Sequence, residues 1–430
     1  MFKKSLFPFL LVVILLLVNC GKRQERGKTE VSFWHAMGGP LGKALAGLVE
    51  KFNHAHPQIH IQSVSMGTYT ALSQKIMASI SAGNPPTIAQ VYENWTMELI
   101  DGGALIPLQR FIEEDTTFRR EDLADFFPVF LQGNTYQDTI WTFPFNKGLP
   151  ALYYNRKMFQ EAGLDPNSPP RTWKEFLAYA RRLTIDTNGD GTPDQWGTAF
   201  SIPTCMAIFQ SKLLQDGGEI LDLRQNRALF ASPIGVSALQ FLIDLVKRYK
   251  VAYITSGAYE HQTDFAAGRV AMIQGHIVSL TYMKPQLTFT PGIAPIPQGK
   301  IKAVMVTGTN IAIFKSATPA QQKAAWEFIK WFTATQQTAQ WSKKTNYIPV
   351  RRSALEMPAL QEKFQDTPGL KETMLQIEYA VGQPKCAAWF EGRRHLEEDA
   401  IEGAMRGYVS PKEGLKKAAQ KLNQELQKKK

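Results

Sequence analysis

Between residues 31 and 92 the sequence alternates strand and helix signals, and this order narrows the available folds more than any other feature. VSFW (31–34) is a short apolar strand, after which Leu41, Leu45, Leu48 and Phe52 recur at helical spacing until His56-Pro57. IHIQSV (59–64) alternates as a strand, Leu72, Ile76 and Ile80 line a second helix that stops at Gly83-Asn84-Pro85-Pro86, and TIAQVY (87–92) is a third strand. A β-α-β-α-β run predicts an α/β fold with a parallel sheet covered by helices. In open α/β sheets, ligands sit beyond the carboxyl ends of the strands. The residues just past the ends of these strands include His35, the MGTY segment ending in Tyr69, and Glu93.

The rest of the chain fits an exported, two-lobed protein. Lys3 and Lys4 precede an uncharged apolar run over residues 6–18, which has the anatomy of a signal peptide covering residues 1–19. Cys20 comes directly after Leu17-Val18-Asn19 in what resembles a bacterial lipobox, although Asn19 departs from the small residue usual there. The resemblance implies lipidation of Cys20, with residues 20–30 as a charged tether. A plain signal peptide or an uncleaved anchor would equally place the remainder of the chain outside the cytoplasm. The roughly 400 residues beyond the tether exceed one ordinary core. The formal charge of +11 becomes +9 without Lys3 and Lys4, because residues 1–19 hold no acid. Such a surface suits anionic solutes or headgroups, while export argues against nucleic acid. Besides Cys20 only Cys205 and Cys386 remain, so at most one bridge is available.

A second α/β region comes next. WTFPFNKGLPALYYN (141–155), RVAMIQG (269–275) and NIAIF (310–314) read as strands. Thr172 and Glu175 form a capping box ahead of Phe176, Ala180 and Leu183, and Thr318-Pro319 starts another helix. The C-terminal segment is amphipathic, with Leu415, Ala419, Leu422 and Leu426 inward and its lysines solvated.

No catalytic signature emerges. GGPLGK (38–43) fails as a phosphate loop, since Met37 stands where the first glycine belongs and Ala44 where a magnesium-binding hydroxyl belongs. A nucleophile elbow, a paired-histidine zinc helix and a dinucleotide-binding turn are all missing from the sequence. A pair of carboxylates acting as a glycosidase has no fixed spacing, and nothing among the 38 acidic residues singles one out. Asp186, Asn188, Asp190 and Asp194 in DTNGDGTPDQWG (186–197) stand at calcium-loop spacings. Gly197, however, occupies the twelfth position, where a sensor loop needs glutamate. An Asx-rich turn holding a structural calcium at most is the expectation, with no other cofactor.

Seven segments in order, FWHAMGGPLGKAL with KFNHAHP, GNPPTIAQVYE, PFNKGLPALYYNRKMFQEAGLD, PPRTWKEF, FAAGRVAMIQG, AAWEFIKWFT and KKTNYIPVRRSAL, resemble family-1 extracellular solute-binding proteins of ABC importers. The resemblance implies the periplasmic-binding-protein-like (class II) fold, two α/β lobes with a hinge and an interlobe ligand cleft, and no catalytic activity. The lobes would comprise residues 31–144 with about 303–348, and 145–302 with about 349–430. Within the family the likeness is greatest to members that bind glycerol-3-phosphate. It implies that Tyr69, Glu93, Gly308, Tyr347 and Arg394 line the cleft. Glu93 would accept from solute hydroxyls, and Arg394 would offer its planar fork to phosphate oxygens. Where those members carry serine contacts, this chain has Gly148 and His276, the latter able to donate to phosphate; IPTCMAIFQSKLL (202–214) replaces a Trp-rich stretch. The expected partners are a glycerophospho solute or, alternatively, an oligosaccharide, and the permease subunits of the importer. The protein would be a monomer held at the periplasmic or cell-surface side of a membrane through its lipid.

Overall fold

The computed structural model describes residues 27–428, so the leader, Cys20 and most of the tether lie outside the described residues. Among the described residues no helix is long and apolar enough to cross a membrane.

The first lobe is built as the alternation predicts. Strand β1 (Thr29–His35) buries Val31, Phe33 and His35 on alternate positions. Helix α1 (Gly39–Ala55) buries Leu41, Leu45, Leu48 and Phe52, strand β2 is Ile59–Ser65, and helix α2 (Tyr69–Ser81) is capped by the Thr68 side chain, which accepts from the Ala71 amide. Strand β3 (Ile88–Val91) is buried throughout, and helix α3 (Glu93–Asp101) comes directly after it. Strands β1, β2 and β3 are parallel, as expected.

The segment WTFPFNKGLPALYYN divides between two sheets. Strand β4 (Phe143–Gly148) belongs to the first, and strand β5 (Pro150–Asn155) to the second, with only Leu149 between them. A lobe boundary at residue 145 therefore falls inside a strand, and residues 145–148 stay with the first lobe. The second sheet adds β6 (Trp196–Phe200), β7 (Ala252–Ile254), β8 (Val270–His276) and β9 (Pro291–Pro295) in the order β7-β6-β8-β5-β9. The chain then returns to the first sheet as β10 (Thr307–Ile313), completing the order β2-β1-β3-β10-β4. Only β10 breaks the parallel direction, running antiparallel to both β3 and β4, so that β4 points the same way as β1–β3. Strand β10 arrives by crossing from the second lobe and β4 leaves by crossing to it, so neither is tied to a neighbour by a crossover helix within the sheet.

In the second lobe, helix α4 (Trp173–Leu183) opens with the predicted Thr172–Glu175 capping box, and helix α5 (Ile202–Gln215) with Ser201 as its cap. Helices α6 (Pro319–Phe332) and α7 (Thr335–Thr345) return to the first lobe, where Phe328 packs on Phe33 and Phe52. The tail is shared rather than wholly second-lobe. Helix Pro358–Asp366 packs against α7 through Leu360, Ala339 and Ala354. The crossing comes next, where Gly369 sits so close to β9 that a Cβ would lie 1.9 Å from the Ile293 carbonyl oxygen. Helices α8 (Ala388–His395) and α9 (Pro411–Lys428) then close the second lobe, α9 burying Leu415, Ala419, Leu422 and Leu426. The crossing segments lie side by side where Val304–Met305 pairs with Ala380–Val381.

The 186–197 loop joins α4 to β6 on the surface. Asp186 accepts from the amides of Gly189 (2.7 Å) and Gly191 (2.9 Å), Asp190 from that of Thr192 (2.8 Å), and Asp194 from that of Thr187 (2.8 Å). Asp190 makes an Asx turn and the other two carboxylates close wider turns, all satisfied by amides of the loop itself. Among the described residues no cluster of three or more His, Cys, Asp or Glu side chains is placed to hold a metal ion.

Candidate solute-binding cleft

A cavity of about 480 Å³ lies between the lobes. The first lobe contributes Tyr69, Tyr92, Glu93, Trp95, Thr307 and Gly308, and the second contributes α5, α8 and the turn after α8. The strand-end argument accounts for the first wall. Tyr69 and Glu93 open α2 and α3, so both stand where a parallel strand has just ended.

That wall is anchored in buried polar chemistry. Gln90, Asn146 and Thr309 are each 0% exposed. The Gln90 amide donates to Thr309 Oγ1 at 2.7 Å and to Asn146 Oδ1 at 3.2 Å, and the Asn146 amide donates to the Tyr69 hydroxyl at 3.3 Å. Tyr69 and Tyr92 lie with ring centroids 5.0 Å apart, and Trp95 meets Tyr92 edge-on at 5.1 Å. Burial raises the phenol pKa values of Tyr69, Tyr92 and Tyr347 above the ordinary value, so all three remain neutral donors. Glu93 is 7% exposed and Lys147 1%, and the lysine Nζ donates to Glu93 Oε1 at 2.6 Å. One carboxylate oxygen is thus committed to the ion pair, and the other is the oxygen that a solute hydroxyl can use. Gly308 has φ +125°, and a Cβ there would lie 1.9 Å from the Asn146 carbonyl oxygen, so the close backbone approach requires glycine.

The second wall is different. Pro203, Met206, Ala207 and Gln210 present one face of α5, at the i, i+3, i+4, i+7 spacing of a helical stripe. This is the stretch in which the chain lacks the tryptophans of its resemblance. Helix α8 continues into a π-helical turn, Leu396–Glu402, so that Arg393, Arg394, Glu397 and Glu398 share the cavity wall with Trp389 and Phe390. Arg394 is half-exposed and bonded to Glu391 (2.9 Å) and Glu398 (3.0 Å), while Arg393 pairs with Glu397 at 3.4 Å. Each arginine of the wall therefore already has a carboxylate partner.

Of the residues singled out in the sequence, Tyr69, Glu93, Gly308 and Arg394 meet at this cavity. Tyr347 lies behind it, 5% exposed, stacked on Trp341 at 5.9 Å and edge-on to His276 at 6.0 Å. Gly148 and His276 are not in the wall. Both ring nitrogens of His276 are engaged, Nε2 with Thr307 Oγ1 at 2.8 Å and Nδ1 with the Val278 amide at 3.3 Å, which leaves none to donate to a phosphate. His35, noted at the end of β1, is 4% exposed and bonded to Ser63 Oγ at 3.1 Å and to the Met37 amide at 3.1 Å, a core role. Tyr92, Trp95, Thr307, Gln210, Trp389 and Phe390 were not foreseen. The helical stripe of α5 was legible in principle, but which stripe faces a second lobe is not.

A family model for bacterial extracellular solute-binding proteins matches residues 47–372. The sn-glycerol-3-phosphate-binding periplasmic protein UgpB of Pectobacterium atrosepticum is 26% identical over 410 residues, spanning 92% of this chain and 90% of that one. The cyclic alpha-maltosyl-1,6-maltose binding protein of Arthrobacter globiformis superposes with a TM-score of 0.79 at 26% identity, covering 94% of this chain and 100% of the other. UgpB of Mycobacterium tuberculosis, solved in complex with glycerophosphocholine, gives a TM-score of 0.81 at 21% identity over 94% and 100%. The chain belongs to the bacterial extracellular solute-binding protein family, two α/β lobes about a solute cleft, and is a receptor component of an ABC importer rather than an enzyme.

Proposed function

We propose that the solute is glycerol-3-phosphate or a related glycerophospho compound, captured by lobe closure and delivered to the importer's permease by a receptor tethered through lipidated Cys20. The observation that carries this reading is the pairing of unlike walls across one cavity. Glu93, Tyr69 and the Gly308 backbone suit the hydroxyls of a glycerol unit on one side, and the forks of Arg393 and Arg394 suit phosphate oxygens on the other. A phosphate would take the place of one or both of the Glu391 and Glu398 carboxylates at Arg394, an anion received at a preformed fork. Closure supplies the mechanism: the solute contacts both walls only in the closed form, and so favours it.

A second reading, a neutral oligosaccharide, is supported by the charge balance of the cleft and by the aromatic faces of Tyr92, Trp95, Trp389 and Phe390, on which sugar rings stack. Calorimetric titration of the purified protein with glycerol-3-phosphate, glycerophosphocholine and maltotriose separates the two. Binding of a phosphate compound is the expected result, and binding of maltotriose alone would overturn it.

A further inference from the structure

Thr307, Gly148 and His276 form a unit at the point where the lobes join. Thr307 begins β10 directly opposite Gly148, the last residue of β4. His276 ends β8 opposite Pro150. Its imidazole lies on Gly148 so closely that a Cβ there would stand 2.1 Å from Cε1 and 2.6 Å from Nε2. Glycine at 148 is therefore the space that the ring occupies.

The bonds fix the tautomer. The Val278 amide donates to Nδ1 at 3.3 Å, so Nδ1 carries the lone pair. Burial lowers the imidazole pKa to about 4, so the ring is neutral near pH 7 and its single proton is on Nε2. That proton is donated to Thr307 Oγ1 at 2.8 Å. The threonine hydroxyl, having accepted, has its own proton to place. Its acceptor in the described structure is the Gly148 carbonyl oxygen at 3.4 Å, beyond the ordinary range for a hydroxyl donor. Thr307 lines the solute cavity beside Gly308. An acceptor oxygen of a solute, approaching to about 2.8 Å, outcompetes that long bond.

We infer that Thr307 is a specificity-determining residue that donates its hydroxyl proton to an acceptor oxygen of the solute, with His276 as the positioning residue behind it and Gly148 as the space that residue requires. The inference rests on the interlobe cavity being the solute site. The acceptor can be a phosphate or a sugar oxygen, which the choice of probe distinguishes.

The test is a set of variants titrated with glycerol-3-phosphate, glycerophosphocholine and maltotriose, with melting temperatures measured alongside. T307V keeps the side-chain shape without the hydroxyl, and should weaken the bound probe about tenfold with little change in melting temperature, the effect of one lost hydrogen bond. T307S should hold wild-type affinity. H276F fills the same space without an N–H and should weaken binding about as much as T307V, the double variant being no weaker than either alone. H276Q, which retains an N–H donor, should keep affinity. G148A should lower the melting temperature, and H276S in the same chain should recover much of that loss. Equal affinities of wild type and T307V for a probe that binds, or penalties of T307V and H276F that multiply, would overturn the inference. Failure of the wild type to bind any of the three would overturn the solute assignment beneath it, and the inference with it.

Discussion

The two walls of the cleft are made of similar groups held in opposite ways. In the first lobe, Tyr69 and Glu93 are backed by Gln90, Asn146, Thr309 and Lys147, all buried, and the acid is paired with its lysine at 2.6 Å. In the second lobe, Arg394 and Arg393 are each half-exposed, Arg394 paired with the surface acids Glu391 and Glu398 and Arg393 with the more buried Glu397. The first wall is fixed before a solute arrives, because moving any member strands a buried polar group. At Arg394 the second can exchange its partners at small cost, because exposed ion pairs are worth little. A receptor that closes on its solute gains from that asymmetry: a rigid face orients the solute, and an adaptable one completes the contacts.

Breaking the first wall should have the largest effect. Lys147→Met leaves the Glu93 carboxylate buried without a partner, and chemical denaturation should show a loss of about 3–5 kcal/mol. Adding Glu93→Gln in the same chain should restore much of it; equal losses in the single and double variants would mean that the pair does not hold this wall.

Acid should act on both lobes and on the join between them. Burial lowers His35 in the first lobe, His261 in the second and His276 between them from 6.5 to about 4. The unfolded chain takes up these protons near pH 6.5, and the folded chain only near pH 4, so between those values the unfolded state binds more protons. Stability is then fully present above pH 6.5 and falls as the pH drops toward 4, by on the order of 3 kcal/mol for each histidine. Thermal melts across that range check the sign, and a flat profile would contradict the buried neutral rings.

The adaptable wall should separate binding from stability. Arg394→Ala should change folding stability by no more than about 0.5 kcal/mol. It should also weaken a phosphate-bearing solute by about 2 kcal/mol, read by calorimetry. A stability loss comparable to that of Lys147→Met would erase the distinction between the walls. The smallest effect belongs to the 186–197 loop, whose carboxylates are satisfied by backbone amides. EDTA should leave solute affinity unchanged there, and a loss of affinity would bring the loop into the site.

Much of this architecture was legible in the sequence. Local signals set the elements of residues 29–101, the capping box at Thr172, the helix start at Thr318-Pro319, and the C-terminal stripe, because periodicity and caps are properties of neighbours along the chain. Strand ends pointed to Tyr69 and Glu93 for the same reason. Contacts between distant segments were not legible. Lys147 reads as one charged residue in an apolar run until β4 is set beside α3. His276 reads as a donor to solute until its ring is found on Gly148, with Thr307 in front of it.

The sequence by itself determined the α/β class, the order of the elements in the first β-α-β-α-β run and the family, since these depend on local pattern and on motifs kept in order. Only the tertiary structure decided where the chain changes lobe, which glycine is needed for a neighbour's ring, and which side chains stand in the wall rather than behind it. Those outcomes depend on packing among residues more than 100 positions apart, such as Gly148 and His276, and no window of sequence contains both partners.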